Sequence, residues 1–140
     1  MDAKNKFEEI ATAEGWGFIH ARRDFQNLMD AAAFVADSVE GYGPGETVMV
    51  LDPIKRRALK DGAGILYSGH VMILTKSDFD GTYDEKYNLN VAPLINKVMK
   101  ELPARLRCIY DVEDWSVIEV INVFDFNADG LSVSFNLKFQ

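Results

Sequence analysis

Scarcity sets the first bounds. A single cysteine, Cys108, in 140 residues excludes an internal disulfide and a cysteine cluster for zinc. Two histidines, His20 and His70, leave few options for metal ligation or imidazole acid–base chemistry. Basic residues are also short: 15 Lys and Arg stand against 22 Asp and Glu, a net charge of −7. A chain this acidic is a poor candidate for wrapping nucleic acid, where phosphate neutralisation dominates affinity. No run reaches the roughly 18 apolar residues of a membrane span. The longest, GILYSGHVMIL, is interrupted by Ser68, Gly69 and His70. The N-terminal MDAKNKFEEIATAEGW carries charges every few residues and no apolar segment of signal-peptide length. The expectation is a protein made, and used or assembled, in a cytoplasm.

What is present is ordinary for a globular chain. Apolar residues make up 48%, aromatics 11% and charged residues 26%. The length is that of one domain, residues 1–140, with no linker, internal repeat or low-complexity tract. Each side of residue 70 is acidic, by −3 and −4, so there is no basic or acidic tail.

The first third is patterned for helix. Phe7, Ile10 and Ala11 fit one face of a short amphipathic helix ending near Gly15. Asp24 is placed to cap a second helix, whose apolar positions Phe25, Leu28, Met29, Ala32, Val35 and Val39 repeat every three or four residues up to Gly41. The middle is patterned for strand. Thr47–Leu51 is a short β-rich run ended by Asp52-Pro53. A long charged connection, Ile54 to Gly64, leads to a second strand over Ile65–Thr75, expected to bulge at Gly69. The two strands are expected to pair antiparallel around a protruding loop. After a turn at Ser77–Gly81, Leu94, Ile95, Val98, Met99 and Leu102 mark a helix over 91–102. Pro93 is expected in its first turn and Pro103 at its stop. Ser116–Phe126 then forms a strand, and Asn127–Gly130 a tight turn with Gly130 supplying positive φ. Leu131, Val133, Phe135, Leu137 and Phe139 alternate with polar residues in a closing strand. The fold class expected is α+β: one antiparallel sheet, helices packed on one face, and a closing C-terminal β-hairpin.

Chemical motifs fail on inspection. Asp125-Phe-Asn127-Ala-Asp129-Gly130 matches half an EF-hand loop, but position twelve is Asn136 where a bidentate Glu belongs, and the flanks are strands. Asp78, Asp80, Asp84 and Glu85 crowd one turn, where a helix N-terminus favours acids without any metal. Ser68-Gly69-His70 lacks the strand–turn–helix setting of a nucleophile elbow. Gly41-Tyr-Gly43-Pro-Gly45 follows a helix and precedes a strand, the reverse of a phosphate loop, and has no Lys. Cys108, between apolar neighbours, is expected to be a buried, inert thiol. Trp16 and Trp115 are expected to be half-buried packing anchors. No catalytic residue, metal site or cofactor is assigned. The one basic concentration is Lys55, Arg56, Arg57 and Lys60, with Arg22 and Arg23 as further members. It is either a solubilising loop tip or a contact for an acidic patch on a second copy.

The order of elements, with the segments VMILTKSDFD, YNLNVAPLI and WSVIEVINVFDFNADGLSVSFNLKF, resembles the small virion proteins at the head–tail junction of tailed bacteriophages, of tail-terminator and tail-completion type. The resemblance implies a ring homo-oligomer, commonly a hexamer, that caps the tail tube or joins it to the head. It implies assembly without catalysis, contacts to neighbouring virion proteins, and DNA at most passing through an acidic lumen. It further implies a charged loop, Lys55 to Asp61, gripping the next ring, and a location in the virion after assembly in the host cytoplasm. Two other classes stand beside it. One is a small cytoplasmic adaptor that recognises a partner by its sheet or its 41–45 loop. The other is an enzyme with an acidic site at Asp78, Asp80 and Asp84.

Overall fold

A computed structural model describes residues 2–21, 39, 41–77, 81–121 and 128–139. It is an α+β fold with a six-stranded sheet. Helix α1, Ala3–Glu14, is capped by Asp2, whose carboxylate accepts from the Lys4 amide. It closes on Gly15, at φ 75°, the left-handed conformation that glycine adopts without a Cβ penalty. Its buried residues are the expected Phe7, Ile10 and Ala11, joined by Ala3. Strand β1, Gly17–His20, runs parallel to β2, Thr47–Leu51. The sheet is therefore mixed, not wholly antiparallel as expected. A four-residue strand is too short to show its period in the sequence. The helix expected after Asp24 lies outside the described residues except at Val39, which is helical and buried.

Strand β3, Lys55–Ala58, replaces most of the expected charged loop. It pairs antiparallel with the first residues of β4, Ile65–Lys76, while β2 pairs with the later ones. β2 and β3 are thus two halves of one strand. Three residues, Asp52-Pro53-Ile54, separate Leu51 from Lys55, whereas two, Gly69 and His70, separate their partners Ser68 and Val71. The irregularity expected at Gly69 sits on the opposite strand, where Pro53 has no amide to give a ladder. β4 itself pairs without interruption with β6, Ala128–Phe139. The last strand in the sheet is β5, Asp111–Val120, with one bulge at Glu113.

The expected turn at Asn127–Gly130 is corrected by this register. Ala128, Asp129 and Gly130 belong to β6 and are buried, and Val120 faces Gly130. Gly130 is not in the left-handed region. The alternation along Leu131, Val133, Phe135 and Leu137 holds, with all four buried.

Between β4 and β5 runs a long helix, α2, over residues 83–106. It starts earlier and ends later than the pattern indicates. It alternates α-helical Tyr83–Lys86, Ala92–Asn96 and Leu102–Leu106 with π-helical Tyr87–Val91 and Lys97–Glu101. Pro93 and Pro103 lie inside it, each two residues past a π segment. The preceding amides, of Ala92 and Leu102, donate five residues back, to the Tyr87 and Lys97 carbonyls. A proline clashes with the carbonyl four residues before it, and the wider π turn relieves that clash. Pro103 therefore does not stop the helix.

Helices α1 and α2 cover one face of the sheet. Phe7 packs on Phe135 with ring centroids 4.9 Å apart, and Val91, Val98, Leu102 and Leu106 join the same core. Within it, burial pushes the Tyr110 phenol up to about 12. Trp115 is half-buried as expected, and its indole donates to the Val98 carbonyl at 2.9 Å. Glu14 joins the helices, lying 2.6 Å from Lys97 and 2.9 Å from Arg105. Its carboxylate raises the Lys97 ammonium above its ordinary value. A smaller core on the opposite face gathers Ile19, Val39, Val48, Val50, Leu74 and Ala128.

Candidate functional site

The four basic residues singled out in the sequence do not form one loop tip. Lys55, Arg56 and Arg57 lie along β3, and Lys60 opens the 3-10 turn Lys60–Gly62. All four are exposed. Alternation along the strand divides them between the two faces. Arg56 faces the core side, where it donates to both carboxylate oxygens of Asp2, at 3.0 and 2.8 Å, and lies over the Tyr67 ring. This hydrogen-bonded guanidinium holds the Asp2 carboxyl below its ordinary value, and the carboxylate in turn raises the Arg56 pKa. Arg56 is thus committed to fastening the start of α1 to the sheet. Lys55 and Arg57 point to the other face, with no ion-pair partner among the described residues.

β3 is a sheet edge. β6 runs along the whole of β4 on one side, so β2 and β3 share the other. β1 covers β2, from Val48 to Leu51, and stops there. Among the described residues β3 pairs with β4 alone. The opposite edge is β5, which among the described residues pairs with β6 alone and carries Asp111, Glu113, Asp114 and Glu119 with no basic residue.

The registers set the two edges level. Across the sheet, Arg57 aligns with Leu66, Lys138 and Asp111, and Lys55 aligns with Ser68, Asn136 and Asp114. Register partners share a face. The open face thus has Lys55 and Arg57 at one margin and Asp114 and Asp111 at the other, in the same two rows. The two aspartates escape sequence reasoning, because DVED has no apolar alternation and the pattern starts the strand at Ser116. Only the pairing registers place them opposite the basic edge.

Between the margins these rows are mostly polar, with Leu66 beside Arg57, and the face turns apolar towards the smaller core. His70 and Ser134 are register partners, with Nδ1 and Oγ 3.0 Å apart, and Ser116 donates to Asp114 at 3.2 Å. Ser68 shares the face, but the bond of His70 is to Ser134. Ile118 is 64% exposed there.

The remaining sequence candidates separate. Asp78 and Asp80 lie outside the described residues, as do Arg22, Arg23 and the first half of the EF-hand-like segment. Asp84 and Glu85 occupy the first turn of α2, where the Thr82 hydroxyl accepts from the Glu85 amide. Asp129 is fully buried and accepts from Asn90 at 2.8 Å. Among the described residues no three His, Cys, Asp or Glu side chains are grouped to hold a metal ion. Cys108 is exposed, not buried as expected, because it falls in the turn after α2 where the chain leaves the core. The 41–45 loop borders a cleft of about 490 Å³ lined by Gly15, Trp16, Gly17, Tyr42, Gly45, Glu46 and Thr47. Among the described residues no helix is long and apolar enough to cross a membrane.

No family model, curated protein or solved structure matches the chain.

Proposed function

We propose that this protein is a structural subunit of a tailed-bacteriophage virion, one of several copies in a ring at the head–tail junction or tail end, in a tail-terminator or tail-completion role without catalysis. The observation that carries the assembly part is the pair of sheet edges left open among the described residues, basic at Lys55 and Arg57 and acidic at Asp111 and Asp114. A chain with unlike edges has a surface for the copy before it and another for the copy after it, the requirement for a ring. The phage part rests on the resemblance carried by VMILTKSDFD and the closing hairpin. The net charge of −7 suits a ring that DNA passes through without adhering. On this reading the partners are further copies and neighbouring virion proteins, with no cofactor and no membrane.

The test is antibody labelling of virions from the phage that encodes the chain, viewed by electron microscopy. The label is expected at one end of the tail. Virions that carry none of the protein contradict the role.

The cleft beside the 41–45 loop favours a second reading, a small adaptor that binds a partner peptide there. An adaptor of this kind needs no assembly of defined copy number, and that separates the two readings.

A further inference from the structure

Resting on the ring reading, we infer that neighbouring copies join edge to edge: β3 of one copy pairs antiparallel with the first half of β5 of the next, so that the sheet continues across the interface. Four observations carry this. Both strands are edges among the described residues, and an unpaired strand edge is a template for another strand. Their directions fit, because β3 runs against β4, β4 against β6 and β6 against β5. Two copies placed side by side in the same orientation therefore bring β3 and β5 together antiparallel. Their rows fit as well. Continuing the rows of the sheet, with the bulge at Glu113 carried into the new pairing, sets Arg57 beside Asp111 of the next copy, and Lys55 beside its Asp114. Lastly, these four side chains lie on one face, where opposite charges on adjacent strands attract and like charges repel.

The same charges make the contact selective. A β5 edge meeting another β5 edge places carboxylates against carboxylates, and two β3 edges oppose cations. Only the head-to-tail combination is complementary, and head-to-tail contacts generate closed rings or open helices. Arg56, held by Asp2 on the other face, keeps β3 fastened to its own subunit while Lys55 and Arg57 face the neighbour.

The test uses three variants of the full chain. The first reverses the basic edge with Lys55→Glu and Arg57→Glu, the second reverses the acidic edge with Asp111→Lys and Asp114→Lys, and the third combines all four. The readout is assembly against concentration by analytical ultracentrifugation, with circular dichroism melting to verify each fold. Each two-residue variant is expected to raise the half-assembly concentration about tenfold or more. The four-residue variant is expected to restore it. An equimolar mixture of the two defective variants is expected to assemble with alternating copies, because each then meets a complementary edge.

If the wild-type chain assembles and both two-residue variants assemble equally well, the edge contact is overturned while the ring stands. Weakened variants that neither the combination nor the mixture rescues also overturn the pairing. A wild-type chain that stays monomeric at its solubility limit overturns the pairing and the ring together.

Discussion

Gly130 has no room for a side chain. A Cβ built there collides with the Ile73 carbonyl oxygen and touches Cα of Leu74, because β4 passes close across it. The obstruction is backbone, which moves only by opening the β4–β6 ladder. Gly130→Ala is expected to cost about 3 kcal/mol or more, at the severe end of overpacking, measured as the loss of unfolding free energy in urea. A loss below about 0.5 kcal/mol, the scale of an ordinary surface change, contradicts the packing described. The sequence marks Gly130 as special but for the wrong reason. Asn-Ala-Asp-Gly has the composition of a turn, and steric demand from a strand some 56 residues away in sequence leaves no local signal. Cys108 fails for a similar reason. Apolar neighbours predict burial, but the end of α2 sets which way the chain faces.

At the scale of elements, α2 is anchored to the sheet by a buried polar contact. Asn90, in the first π segment, donates to Asp129 at the start of β6. Asp129→Ala leaves a buried amide without its acceptor and is expected to cost about 2–3 kcal/mol in equilibrium unfolding. Adding Asn90→Ala is expected to cost less than the sum of the two single changes, since the pair fails as a unit. Strict additivity contradicts the contact. Much of the element order is legible: α1, β2, β4 and the alternating face of β6 follow from periodicities over five or more residues. Three features are not. β1 is too brief to show a period. β3 is all charged but for Ala58, so it resembles a loop, yet it needs only backbone pairing to β4. The extent of α2 is hidden because Pro93 and Pro103 ordinarily mark helix ends, and only its π turns allow them inside.

At the scale of the whole molecule, the candidate site is a relation between two edges, and no segment contains it. The basic half was legible as a charge cluster, although its members divide: Arg56 serves the subunit, while Lys55 and Arg57 face outward. The acidic half was dispersed among 22 carboxylates, and three strand registers were needed to set Asp111 and Asp114 in line with their counterparts. The central claim is that these edges serve a ring. Size-exclusion chromatography with multi-angle light scattering on the purified chain, across a concentration series at low salt, tests it most directly. The account predicts a species of fixed mass, a small whole multiple of 15.7 kDa, that dissociates as salt screens the edge charges. A constant mass of one chain at every concentration and salt would contradict it.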